Sequence, residues 1–157
     1  MIFRYFSSKK YEVVGTLLCL TLGSLVGFFS GSGSSEWYLH LSKPWFNPPN
    51  FIFGPVWSFL YILMGIALGK IWLSKNKKLL AIFVFQFLVN LAWPFSFFYG
   101  QRIDLALLIV GILWLTLLYF MYSAWRGELD FLVLMFLPYF FWVSFAFALN
   151  LKLILLN

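Results

Sequence analysis

The chain has 157 residues, of which 63% are hydrophobic, 24% aromatic and only 10% charged, with a net charge of +6. Soluble domains carry roughly 25% charged residues, so this composition excludes an ordinary water-soluble globule and indicates an integral membrane protein. The basic excess does not point to nucleic acid, because the lysines and arginines are dispersed between apolar stretches rather than gathered on one face.

The first apolar run, Val13 to Phe29, follows Arg4, Lys9 and Lys10 and precedes the small residues SGSGSS. A signal peptide cleaved near Gly31 is one reading. A retained helix is preferred, because the run exceeds the roughly 7–15 residues of a signal core. Gly23, Gly27 and Gly31 also form a small-residue ladder, a spacing that Gly65 and Gly69 repeat in the second run. Such ladders let helices approach closely, within one chain or between two, so a homodimer is left open.

The segment between the first two runs, WYLHLSKPWFNPPNFIFGPVWSFLY over 37–61, holds Pro44, Pro48, Pro49 and Pro55. Proline fixes φ, lacks a backbone donor and disfavours helix in the residue before it, so Ser42 to Asn50 is expected to be extended or turning. Its aromatic rings suit a membrane surface, either as an anchor for the next helix or as a lid over a ligand site.

Four further apolar runs follow, and the predicted helices cover about 13–30, 51–73, 79–99, 105–125 and 131–156. Each is close to the roughly 20 residues that span a bilayer, and none alternates in polarity as a barrel strand does. The expected fold is therefore all-α: one five-helix transmembrane domain over 1–157, with a proline- and aromatic-rich loop between the first two helices. With the N-terminus inside, Arg4, Lys9, Lys10, Lys70, Lys75, Lys77, Lys78 and Arg126 are cytoplasmic, and only Lys43, Arg102 and Lys152 lie outside. That bias predicts a cytoplasmic N-terminus and an external C-terminus, and it fits a bacterial cytoplasmic membrane. Cys19 has no cysteine partner in the chain.

The span centres carry no ionisable residue, which argues against an ion-driven pump. The single histidine, His40, has no adjacent ligand cluster, so no metal site is expected, and no cofactor is called for. Ser144 has no histidine or lysine on its helix to activate it. Neutral polar groups and rings remain. Gln86, Asn90, Trp93 and Phe97 share one face of the third helix, Trp57, Tyr61 and Gly65 one face of the second, and Pro138, Trp142, Ala146 and Asn150 one face of the fifth. Amides in hydrocarbon need partners, so these faces should point into the bundle, either to tie helices together or to wall a cavity for a flat apolar ligand.

WY at 37–38, KP at 43–44, PP at 48–49, GPVW at 54–57 with Tyr61, NLAWP at 90–94, and PYFFW at 138–142 with Phe145 and Asn150 occur in order across most of the chain. Jointly they resemble the translocator protein family, also called tryptophan-rich sensory proteins or peripheral-type benzodiazepine receptors. The resemblance implies a receptor or carrier whose first long connection folds over a pocket for porphyrins, sterol-like lipids and synthetic aromatic ligands. By motif position it implies Tyr38, Pro48, Trp57, Asn90, Trp93, Trp142 and Ala146 as ligand-binding residues. It also implies Trp57 and Trp142 as catalytic residues if the protein degrades porphyrin in light, the alternative to a pure receptor. A third reading is an accessory membrane protein without a small ligand. The implied partners are a porphyrin or related apolar molecule and membrane lipid. The fifth helix departs from the animal pattern for sterols: it reads ALNLKL, with Leu151 in the place of a tyrosine. A sterol-type spacing does occur at Leu118, Tyr122 and Arg126, a pattern common at helix ends. Asn90 is expected to orient a ligand's polar edge, so that Asn90→Ala leaves unliganded stability nearly unchanged.

Overall fold

The computed structural model describes residues 2–31 and 36–157, with side chains from residue 9 onward. Its helices are α1 (Ile2–Phe29), α2 (Glu36–His40), α3 (Asn50–Ser74), α4 (Lys77–Pro94), α5 (Ile103–Arg126) and α6 (Asp130–Leu156), and a π-helical turn, Phe95–Tyr99, follows α4. Five segments are long and apolar enough to cross a membrane: Lys9–Phe29, Asn50–Ser74, Lys77–Tyr99, Ile103–Arg126 and Asp130–Leu156. The protein is thus an all-α, multi-pass integral membrane protein.

Two boundaries differ from expectation. α1 starts at Ile2 rather than near Val13, because hydropathy marks only the part of a helix that lipid covers, whereas the polar turns before it still form helical hydrogen bonds. Glu12 on this early stretch pairs with Lys70 of α3 at 3.2 Å. The short α2 also interrupts a connection expected to be irregular. Its residues EWYLH contain no proline, and Pro44 restricts the chain only from Lys43 onward. From Ser42 to Pro49 the backbone is non-helical, as the prolines require. Of the small-residue stretch around Gly31, residues 32–35 lie outside the described residues.

α1 packs chiefly on α3, α4 on α5 and α5 on α6. The first of these contacts is a glycine seam. A Cβ on Gly65 would overlap the Thr16 backbone, one on Gly15 the Gly65 carbonyl, and one on Gly69 the Glu12 backbone. Without side chains at these positions the two backbones touch, and close packing is the main force holding helices together in lipid. Farther along α1 the relation changes, since Gly23 faces the ring of Tyr61 instead of backbone.

The bundle interior has two halves. Toward the α4 start and α5 end it is filled by rings, with Phe120 stacked on Phe136 at 4.2 Å and both against Phe83 at 6.4 and 6.3 Å. Toward the Glu36–Pro49 connection it is hollow.

Candidate functional site

The hollow is a cavity of about 500 Å³, within the roughly 300–1,000 Å³ of small-molecule sites. α3 contributes Trp57 and Tyr61, α4 Asn90 and Trp93, the π turn Phe97, and α6 Trp142, Ala146 and Asn150. These sets recur at three- or four-residue spacing, which places each on a single helix face. α5 closes the floor with Val110 and Leu113, α1 adds Gly23, Ser24 and Gly27, and Tyr38 of α2 lies at the roof.

Pro94 and the π turn shape the wall nearest the roof. Pro94 has no N–H to give to the Asn90 carbonyl, and beyond it the chain widens into a five-residue repeat, with the Gly100 N–H donating to the Phe95 carbonyl at 2.8 Å. Single π turns often mark functional positions. Here the turn stacks Phe97 on Trp93 at 5.0 Å and sets Phe98 edge-on to both.

The connection docks on those rings. Trp37 and Tyr38 meet Phe97 edge-on at 5.5 and 5.9 Å, and Tyr38 meets Phe98 at 5.6 Å. The Tyr38 hydroxyl donates to Asn47 Oδ1 at 3.1 Å, and Lys43 Nζ lies 4.6 Å over the Tyr38 ring. Burial pushes the Tyr38 phenol above its ordinary range, outweighing the opposite pull of the Asn47 bond. Midway along the connection, Asn157 clasps Ser42: its Oδ1 accepts from the Ser42 N–H at 2.9 Å and its Nδ2 donates to the Ser42 carbonyl at 3.1 Å.

Among the residues that line the cavity, two carry an unsatisfied polar atom. Trp93 Nε1, a donor, and Asn150 Oδ1, an acceptor, are buried without hydrogen-bond partners among the described residues. Asn150 Nδ2 is engaged, donating to the Ala146 carbonyl at 2.8 Å. A buried polar atom left unpaired costs free energy that a suitable ligand atom recovers. Asn90 differs from expectation: its Oδ1 accepts a bond from the Tyr61 hydroxyl at 3.2 Å. The amide therefore ties α4 to α3, and Asn90→Ala must lower stability even without ligand.

The structure brings six of the seven anticipated binding residues to this one cavity, namely Tyr38, Trp57, Asn90, Trp93, Trp142 and Ala146. Pro48 is not among the lining residues; its carbonyl instead accepts a bond from Asn47 Nδ2 at 3.0 Å, holding the turn of the connection. Trp57 and Trp142 do not stack on each other. Trp57 lies parallel to Tyr61 at 5.6 Å, and Trp142 contacts Phe53 and Phe145 at 5.9 and 5.6 Å. Of the other face residues, Gln86 is fully buried outside the cavity with its amide unpaired, Gly65 serves the seam with α1, and Pro138 is exposed. His40 is exposed, its Nδ1 bonded to the Glu36 carbonyl at 2.8 Å. Val110, Leu113 and the α1 glycines were not anticipated as lining; α5 is apolar along most of its length, and nothing in its pattern distinguishes a cavity floor from a lipid face.

Residues 15–156 match the TspO/MBR family. The chain belongs to the TspO/MBR family. Among the similar relatives of this family, a protein named Tryptophan-rich protein TspO from Archaeoglobus fulgidus is 33% identical over 153 residues, covering 92% of this chain and 95% of its own length. The protein of that name from Chlorobaculum tepidum is 36% identical over 146 residues, covering 89% and 91%. The human Translocator protein is 32% identical over 151 residues, covering 87% and 85%. Membership of the TspO/MBR family, with relatives named as translocator and sensory proteins, fits a membrane receptor role.

Proposed function

We propose that this chain is a membrane receptor or carrier that binds a tetrapyrrole or a similarly flat, apolar molecule in the cavity beneath the connection. The observation that carries this reading is the pairing of aromatic walls with two unsatisfied polar atoms, Trp93 Nε1 and Asn150 Oδ1, in an enclosure of about 500 Å³. Rings supply contact area to a planar macrocycle, while the indole N–H and the amide oxygen fix its polar edge. Titrating protoporphyrin into the detergent-solubilised protein, with tryptophan fluorescence as the signal, tests the reading. Saturable quenching at micromolar ligand that weakens in Trp57→Phe and Trp142→Phe is expected. Absence of saturation would favour an accessory protein whose aromatic core is purely structural.

Light-dependent porphyrin degradation is the second reading, supported by the presence of both Trp57 and Trp142 in the lining of the same cavity. It requires that the porphyrin absorption band bleach faster with the wild-type protein than with the Trp57→Phe/Trp142→Phe pair, and that a defined product form. Equal bleaching by free tryptophan removes it.

The proposed membrane is a bacterial cytoplasmic membrane, with the N-terminus inside and the connection and C-terminus outside, on the strength of the eight-to-three distribution of basic residues given above. Trp45, 95% exposed on the connection, is a site for a reporter cysteine in a Cys19→Ser background. A membrane-impermeant maleimide should label Trp45→Cys in intact cells; labelling only after lysis reverses the orientation.

A further inference from the structure

At the end of the bundle away from the connection, a second cavity of about 330 Å³ lies between the start of α4 and the end of α5. Its polar lining consists of Asn76, Lys78, Tyr122, Ser123 and Arg126, with no carboxylate among them. Tyr122 and Arg126 are four residues apart and share a face of α5. Neither Lys78 nor Arg126 forms an ion pair among the described residues; Lys78 Nζ lies 5.3 Å from the Tyr119 ring.

Two further features orient donors toward this space. Asn76 caps α4, its Oδ1 accepting from the Leu79 N–H at 3.0 Å. That bond fixes the amide so that Nδ2 is its outward donor, close to Gly127, where an added Cβ would lie 3.7 Å from Nδ2. The Ser123 hydroxyl, also in the lining, is buried and has no hydrogen-bond partner among the described residues. Lys78 and Ser123 both approach the Tyr119 hydroxyl, yet the two cations lack a carboxylate partner among the described residues, and with the fixed amide donor they suit an anion with several acceptor oxygens. The first turn of α4 adds the positive end of a helix dipole.

We propose that this cavity binds the phosphate group of an anionic ligand. Two sources carry that chemistry: the headgroup of an anionic phospholipid and a soluble phosphate compound. The exposed rings of Tyr122 and Trp125 place the site at the depth where headgroups lie, and basic pockets between membrane helices are known to hold such headgroups. The proposal stands apart from the tetrapyrrole reading, since the two cavities share no lining residue.

The test compares lipid retention by the purified full chain in native mass spectrometry, titrating phosphatidylglycerol or phosphatidylcholine. The wild type should retain phosphatidylglycerol preferentially. Lys78→Gln and Arg126→Gln should each weaken its apparent affinity about five-fold, and together about twenty-five-fold, the scale of a basic side chain at an anionic surface. The control is Lys75→Gln/Lys77→Gln, which removes the same charge beside the site from residues outside the lining. Equal loss in control and site variants, or no loss in either, overturns the proposal, because diffuse attraction then explains the binding. Ser123→Ala provides a charge-neutral arm: it should raise the melting temperature without lipid while lowering lipid retention several-fold, whereas unchanged retention counts against the site. Inorganic phosphate at millimolar concentration separates the sources. Displacement of the lipid identifies a soluble phosphate as sufficient, and failure to displace it assigns the site to the phospholipid.

Discussion

The Tyr61–Asn90 hydrogen bond allows a perturbation whose size follows from the geometry. The bond spans 3.2 Å between α3 and α4, and both residues are buried, at 7% and 2% exposure. Hydrogen bonds between membrane helices contribute about 0.6 kcal/mol on average and up to about 1.7, while a buried group left unpaired costs about 1–3 kcal/mol. Asn90→Ala removes the bond and strands the Tyr61 hydroxyl, so a loss of about 1–2 kcal/mol is expected without ligand. Tyr61→Phe strands the Asn90 carbonyl oxygen and should cost a similar amount. Because each change already breaks the same bond, the double variant should lose less than the two together, by about 0.6–1.7 kcal/mol.

Reversible unfolding in mixed micelles measures all four corners of this cycle. Additivity within about 0.3–0.5 kcal/mol would refute the reasoning, since independent sites behave that way. A parallel arm adds porphyrin at a hundredfold excess over its Kd, which should stabilise the wild type by about 2.7 kcal/mol. If Asn90 also touches the ligand and its loss weakens affinity tenfold, the increment for Asn90→Ala falls to about 1.4 kcal/mol. A full increment on a destabilised protein assigns Asn90 to helix tying alone.

Trp93→Phe removes an unsatisfied indole N–H, so melting without ligand should hold steady or shift by less than about 1 kcal/mol, while porphyrin affinity falls; a loss of stability with affinity intact would remove Trp93 from the site. Gly65→Val forces side-chain atoms into the Thr16 backbone and should cost at least the roughly 1–3 kcal/mol of overpacking, seen as a lower midpoint in the same unfolding assay. Asn157→Ala removes both bonds to Ser42 and one to the Leu153 carbonyl at the end of α6, and should raise the ligand dissociation rate in stopped-flow quenching more than it lowers stability. Raising pH probes Tyr38. Its phenol ionises later in the folded protein than in the unfolded chain, so its contribution is complete below the ordinary tyrosine pKa of about 10 and is lost as pH rises through the higher folded value. Tyr38→Phe should flatten that alkaline decline in the melting curve.

The span count and the inward faces were legible because lipid imposes simple rules: length reports crossing, and an amide or a proline in hydrocarbon must be accommodated by neighbours. The spacing of Trp57 and Tyr61, of Asn90 and Trp93, and of Trp142 and Ala146 therefore located three walls of the cavity. Contributions without a chemical signature were not legible. Val110 and Leu113 read like any lipid-facing residues, and whether Gly23 meets backbone or a ring depends on the angle between two helices, which no local pattern encodes. The helix-tying role of Asn90 was hidden for a related reason, since its partner Tyr61 lies 29 positions away on another helix. Pro48 illustrates the converse: a motif position defines what the backbone does there, and in this chain that role is to shape the turn.

The glycine positions on α1 and α3 connect the seam to the cavity. At Gly15, Gly65 and Gly69 the two backbones touch, but eight residues beyond Gly15 the space at Gly23 is taken by the Tyr61 ring, and at Gly54 nothing among the described residues lies within 4 Å of an added Cβ. Contact thus passes from backbone, to an intervening side chain, to open space as the pair approaches the connection. Ser24, Gly54 and Ser58 are all exposed and all part of the cavity wall. The roof above it is held by Tyr38 on the π-turn rings and by the Asn157 clasp. If the cavity holds the proposed ligand, widening the seam at Gly65 should change the dissociation rate in stopped-flow quenching as well as stability, and an unchanged rate would separate the seam from the cavity.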